Sequence, residues 1–314
     1  MPTSKSASPT SRASRTVPEA ASPPSAARVW WLASRPATLA ASVAPVLTGT
    51  AVAFHDGRAR LLPGLLALVV GIAMQLGVNY ANDYSDYRRG ADTPRRIGPL
   101  RASASGVVAP EQVRTAALAA FGVAAFAGLW LSLITDWRLL LVGAACLAAG
   151  WLYTGGPRPY GYLGLGELFV FVFFGIVACA GTAYVQELRL TPLALSGAAA
   201  CGFLADAILL FNNLRDIETD IAAGKRTLAT RLGRSRTRFL LAGFFLAAFA
   251  CPLLAVLTGA APATVLLTLA LLPATTRPLR ESGELTGPPL VAALKRTAEV
   301  ELGFGLLWTA GLLW

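Results

Sequence analysis

The chain has one histidine, His55. That argues against a mechanism built on a histidine base or a histidine-ligated metal. Charge is scarce as well. Asp, Glu, Lys and Arg make up 14% of the residues, against roughly a quarter in a soluble domain. With 55% hydrophobic residues and a mean hydropathy of +0.57, the composition excludes an ordinary soluble enzyme. Apolar runs of about 18 residues or more are membrane-span candidates, and the chain carries many. The four cysteines, Cys146, Cys179, Cys201 and Cys251, all lie in apolar runs without metal-ligand spacing and read as small core hydrophobes. Lysine is nearly absent: 3 of the 27 basic residues, Lys5, Lys225 and Lys295. A lysine inside a motif therefore stands out.

Against this background the acids are concentrated. Of eight aspartates, five fall in two short stretches: Asp83, Asp86 and Asp92 in NYANDYSDYRRGADTPRRIGPLR (79–101), Asp216 and Asp220 in NNLRDIETDIAAGKRTLATRLG (212–233). Each stretch follows a long apolar run.

Residues 1–28, rich in Ser, Pro, Ala and Thr, read as a disordered tail. A signal peptide is disfavoured by the long charged lead and by Arg35-Pro36 interrupting the apolar run. From 29 to 314 the pattern predicts a transmembrane domain of nine helices near 30–54, 62–82, 114–134, 138–154, 164–185, 191–213, 238–258, 262–276 and 297–314. Pro273 is expected to end or kink the eighth. With the N-terminus inside, 23 basic residues fall on the inner side and 4 on the outer. This asymmetry assigns both Asp-rich stretches to the cytoplasmic side of the cell inner membrane, and it accounts for the net charge of +10 by membrane orientation rather than nucleic acid. The two stretches follow helices 2 and 6, with Asn82 and Asn212 in matching positions. The pattern suggests two related halves, about 29–160 and 161–280, plus a last helix. Four helices separate the motifs, so both can meet at one cavity mouth.

Asn212, Asp216 and Asp220 are spaced i, i+4, i+8 and form a stripe on a helix; Asn82 and Asp86 repeat the i, i+4 step, and Asp83 to Asp86 is i, i+3. Stacked carboxylates need cations, and Mg²⁺ prefers to bridge a few carboxylates to phosphate oxygens. The pattern points to paired Mg²⁺–diphosphate clamps. Arg88, Arg89, Arg95, Arg96, Arg101, Arg215, Lys225 and Arg226 are candidates to neutralise the remaining charge. Lys225 and Arg226 also fit a plain role as positive-inside anchors. The segment YTGGPRPYGYLGLGE forms a tight turn, in which Tyr160 and Tyr162 are candidates to face a cation or the diphosphate. Asp206 and Glu167 are intramembrane acids and so functional candidates. Asp206 lies about 15 Å deeper than Asp216 along the helix, placed to bind an acceptor hydroxyl or take its proton; Glu167 can equally serve a helix start.

The two stretches resemble the Asp-rich motifs of the UbiA superfamily of intramembrane aromatic prenyltransferases, and most closely its menaquinone branch, which prenylates 1,4-dihydroxy-2-naphthoate. ASRPATLAASVAPVLTGTA (33–51), RIGPLRASASGVV (96–108) and YTGGPRPYGYLGLGELFVFVFFG (153–175) are similar to that branch too. The resemblance implies an all-α polytopic membrane protein, with about nine transmembrane helices around a central cavity and a cytoplasmic cap. It implies Mg²⁺ as cofactor, a polyprenyl diphosphate donor and an aromatic acceptor. The reaction would release diphosphate and CO₂ and give demethylmenaquinone. Asn82, Asp83, Asp86 and Asp92 would form the first metal–diphosphate site, and Asn212, Asp216 and Asp220 the second. Arg215 and Lys225 would support the diphosphate. Two departures matter. Asp92 follows Asp86 by six residues rather than the usual four, which favours the naphthoate branch over the hydroxybenzoate one. Ala37 stands where a basic residue is usual, leaving Arg35 as the candidate partner for an acceptor carboxylate. Hydroxybenzoate, homogentisate or chlorophyllide acceptors, and a secondary transporter, are the competing readings.

Overall fold

The computed structural model describes residues 24–90 and 100–314 and contains helices, turns and loops but no strand among them. The first helix, α1 (Ala26–Ala33), starts where Ser25 Oγ accepts from the Arg28 amide. Ala26–Arg28, which the sequence assigns to the tail, are helical. Residues 1–23 lie outside the described residues.

The single helix expected over 30–54 is broken. Pro36 opens α2 (Pro36–His55) and disfavours helical backbone at the residue before it. Arg35 takes a left-handed conformation (φ 51°, ψ 66°), which costs about 1–2 kcal/mol for a non-glycine residue. The break is held from α3 (Leu61–Arg88): Asn79 Nδ2 donates to the Ser34 carbonyl at 2.9 Å and to Thr38 Oγ1 at 3.3 Å, and Gln75 Nε2 donates to Thr38 Oγ1 at 3.1 Å. Asn79→Ala is expected to lower stability by about 1–2 kcal/mol, read as a reduced thermal midpoint of the detergent-purified protein.

Helix α3 runs six residues beyond the expected 62–82, so Asn82, Asp83 and Asp86 all ride on it. It packs along α4 (Pro110–Ile134), followed by the short α5 (Leu139–Leu152) and one 3₁₀ turn at Tyr160–Leu163. A continuous rod covers Gly166–Glu187: α6 (Gly166–Val170), a π-helical stretch Phe171–Ala180, and α7 (Gly181–Glu187). Then come α8 (Pro192–Arg215), α9 (Ile217–Ala222) and α10 (Leu228–Leu257), the last broken at Gly233 (φ 72°, ψ 169°). A 3₁₀ segment Ala263–Leu271 continues into α11 (Leu272–Glu284), and α12 (Leu290–Leu313) closes the chain. Pro273 does not end its helix. It sits in the first turn of α11, where its missing N–H leaves no bond unmade.

Among the described residues, six helical segments are long and apolar enough to cross a membrane, against nine expected: Ala26–His55, Leu61–Arg88, Pro110–Ile134, Gly166–Glu187, Pro192–Arg215 and Leu228–Leu257. Helix α5 has only 14 residues, the 3₁₀ segment leads into the polar α11, and α12 carries Lys295, Arg296, Glu299 and Glu301.

Helix α8 is the hub. Its apolar window is 72% buried inside the protein, against 28–33% for four of the other spans. Close approach is arranged by glycines. A Cβ on Gly175 of the π-helical stretch would lie 2.6 Å from the Ala198 carbonyl oxygen and 2.9 Å from Gly202 Cα, both on α8. A Cβ on Gly49 of α2 would lie 2.2 Å from the Cys179 carbonyl oxygen. Small residues at such crossings allow backbone-to-backbone packing where lipid supplies no hydrophobic drive. Past the end of α8, the second Asp-rich motif meets α3 through Lys225, whose Nζ lies 3.4 Å from Asp86 and 3.8 Å from Asp220.

Candidate active site

A cavity of about 1270 Å³ runs between α2, α3, α4, α5, the π-helical stretch and α8. It exceeds the ~1,000 Å³ upper range of ordinary ligand pockets. Its body is apolar, lined by side chains such as Met74, Val78, Leu147, Phe173, Phe174 and Ile208. The motifs stand at one end.

Asp86 is the junction there. Its Oδ2 accepts from Arg101 Nη2 at 2.9 Å; its Oδ1 accepts from the Tyr162 hydroxyl at 2.8 Å and from Lys225 Nζ at 3.4 Å. Lys225 Nζ is also 3.8 Å from Asp220 Oδ1 and 4.7 Å from the centre of the Tyr162 ring. One ammonium therefore spans a carboxylate of the first motif and one of the second. Beside it, Arg215 clasps Asp216 through two bonds of 2.7 and 2.5 Å and donates to Asn212 Oδ1 at 2.8 Å. The expected helical stripe is interrupted: α8 ends at Arg215, and Asp216 (φ −98°, ψ 7°) joins it to α9. The i→i+4 bonds nevertheless persist across the joint, from the Asp216 amide to the Asn212 carbonyl and from the Asp220 amide to the Asp216 carbonyl, so the three side chains remain on the cavity wall.

Other sequence candidates fall into place differently. Both Asp83 oxygens accept backbone amides, from Ala102 at 2.8 Å and Ser103 at 2.9 Å. In this geometry Asp83 ties the following loop to α3. Asn82 lines the cavity, its Oδ1 accepting from Thr154 at 2.7 Å. Tyr160 lines it too, stacked on Phe169 at 4.1 Å between centroids. Arg35 is on the wall and interacts electrostatically with Asp86. Arg88 and Arg226 are exposed and off the wall; Arg226 contributes its amide, which donates to the Tyr162 carbonyl at 3.0 Å. Asp206 and Glu167 are buried beside the cavity without lining it, Glu167 Oε1 accepting from Asn213 at 3.0 Å. Asp92, Arg95 and Arg96 lie outside the described residues. Sequence reasoning missed Thr38, Gln75, Asn79 and Lys295, which also line the cavity. Gln75 and Asn79 carried a readable signal, a polar i, i+4 pair inside an apolar run.

The carboxyl of Asp220 is pushed up to about 7, by burial first and then by the neighbouring Asp216 and Asp86 charges, against the pull of Lys225 and Arg215. Burial and the Asp86 carboxylate push the Tyr162 hydroxyl up, so it remains a neutral donor. Among the described residues no three acids, histidines or cysteines are grouped to hold a metal by themselves. The donors at this end are oxygens of Asp86, Asp216, Asp220 and Asn212. Such a set fits a hard cation that completes its shell with phosphate oxygens rather than one caged by protein.

Residues 42–279 match the UbiA prenyltransferase family. The chain is 50% identical over 214 residues to a 1,4-dihydroxy-2-naphthoate octaprenyltransferase of Mycobacterium tuberculosis (68% of this chain, 73% of that one). It is 44% identical over 268 residues to the protein of the same name from Mycobacterium leprae (85% and 90%). Its fold is similar to a UbiA homolog from Archaeoglobus fulgidus solved with DMAPP and Mg²⁺, with a TM-score of 0.57, 14% identity and coverage of 90% and 99%. With the two Asp-rich motifs converging on one apolar cavity, and with this match over most of its length, the chain belongs to the UbiA prenyltransferase family.

Proposed function

We propose that the protein transfers a polyprenyl group from polyprenyl diphosphate to 1,4-dihydroxy-2-naphthoate, with loss of diphosphate and CO₂. The observation that carries this is the single Lys225 ammonium between Asp86 and Asp220, at the mouth of a large apolar cavity. The naphthoate acceptor is supported by relatives of that name at 44% and 50% identity. The nine-helix layout expected from the sequence puts 23 basic residues on the motif side and 4 on the other, which supports a motif end facing the cytoplasm.

Mg²⁺, held by Asp86, Asp216 and Asp220, would supply the charge neutralisation that makes diphosphate a competent leaving group. The chain's own residues do the rest. Lys225, Arg215 and Arg101 add fixed positive charge at the same end, preorganised by the carboxylates they already contact. As the C1–O bond of the donor breaks, an allylic cation is left. The apolar wall excludes water from it, and the Tyr160–Phe169 stack offers aromatic faces. The ring carbon bearing the carboxylate attacks C1. The carboxylate then departs as CO₂, and its bonding pair restores the aromatic ring. The immediate product is the prenylated hydroquinone, so atoms and electrons balance without a protein nucleophile or base; the quinone form requires a separate two-electron oxidation. Arg35 on the wall is the candidate partner of the acceptor carboxylate before it leaves.

Feeding the purified protein one labelled prenyl diphosphate and a panel of acceptors tests this. Prenylated product and CO₂ should appear in equal amounts with dihydroxynaphthoate, and both should vanish on chelation of Mg²⁺. Equal turnover of hydroxybenzoate or homogentisate, or product without CO₂, would sink the naphthoate assignment.

A further inference from the structure

Tyr162 and Lys225 reach Asp86 from two different loops: the 3₁₀ turn before α6, and the loop between α9 and α10. Outside the cavity the loops are joined by Arg231, near the start of α10. Its Nε donates to the Arg226 carbonyl at 3.2 Å and its Nη2 to the Leu163 carbonyl at 2.7 Å, beside the bond from the Arg226 amide to the Tyr162 carbonyl. Arg231 is exposed and is not on the cavity wall. A guanidinium is a rigid fork of donors, so two bonds to carbonyls on separate loops set the spacing between those loops; an ammonium on a flexible stem does not. The adjoining residue leaves room for the clamp. Gly164 has φ 73°, and a Cβ there would lie 2.9 Å from the Arg226 carbonyl oxygen and 3.1 Å from Arg231 Nε. Left-handed backbone and contact distance thus both require glycine at 164.

We propose that Arg231 is a positioning residue for prenyl transfer: by bridging Leu163 and Arg226 from outside the cavity, it holds Tyr162 and Lys225 at Asp86, where the donor's diphosphate binds. The inference rests on the functional reading above.

The test compares Arg231→Ala, Arg231→Lys and Gly164→Ala with the unaltered protein. It reads the KM for each substrate and, independently of turnover, the affinity for inorganic pyrophosphate with Mg²⁺ by calorimetry. In Arg231→Ala the KM for prenyl diphosphate and the Kd for pyrophosphate should both rise roughly tenfold, as for loss of a charged hydrogen bond. The acceptor KM should stay within about twofold, which locates the loss at the diphosphate. Gly164→Ala should show the same pattern without any change of charge, and Arg231→Lys an intermediate one. Unchanged diphosphate KM and pyrophosphate affinity in Arg231→Ala and Gly164→Ala would overturn the proposal. So would a loss seen only as less folded protein with both constants intact. If the unaltered protein turned over no prenyl diphosphate, the functional reading would fall, while pyrophosphate affinity would still decide the clamp.

Discussion

Asp86→Asn is expected to reduce product formation per folded molecule by about a hundred- to a thousandfold, the scale seen when one preorganised electrostatic contact is removed from a reaction centre. The substitution preserves the shape of the side chain. It removes the charge that organises Arg101, Lys225 and Tyr162, whose donors converge on the two oxygens of Asp86. It also removes one of the oxygens proposed to share Mg²⁺ with the diphosphate. Loss of folding would give a similar fall in crude membranes, so the assay belongs on monodisperse purified protein, with occupancy normalised. Retention of more than about a tenth of the original rate would show that chemistry runs elsewhere in the cavity.

Gly49→Leu should abolish the folded state, and Gly49→Ala should lower stability by about 1–3 kcal/mol or more. A Cβ at 49 would sit 2.2 Å from the Cys179 carbonyl oxygen and 3.1 Å from the Ala183 amide nitrogen. Both are backbone atoms in the middle of the Gly166–Glu187 rod and cannot rotate aside. Helix α2 and the rod would have to part, and the wall they form would open with them. Gly243→Ala in α10 is the control. No atom lies within 4 Å of a Cβ there, so the substitution should be neutral or gain up to about 1 kcal/mol of helix propensity. Thermal melts of the two alanine variants in one detergent separate the cases, and equal midpoints would refute the close crossing.

The two polar stretches were readable because they are local. Asn82 and Asp86 are four residues apart on helical backbone, and the helical repeat alone puts them on one face; Asn212 and Asp216 keep the same step across the end of α8 through an i→i+4 backbone bond. The long apolar runs were readable for the same reason, since hydropathy is a property of consecutive residues. Helix breaks were less so. Pro36 marks a break at Arg35, yet the left-handed turn depends on Asn79 and Gln75 from another helix. Pro273 marked a stop that the chain places at the beginning of a helix instead.

The sequence by itself determined the helical membrane class and the two acidic motifs. Each follows from residue type and short-range spacing. Tertiary structure alone decided which charges meet. It paired Asp86 with Arg101, Tyr162 and Lys225, which lie 15, 76 and 139 residues away. It turned both oxygens of Asp83 to backbone amides and left Asp206 buried off the cavity wall. The physical reason is that a carboxylate's role depends on the donors within about 3–4 Å of it, and those donors are brought there by helix packing that no local pattern encodes.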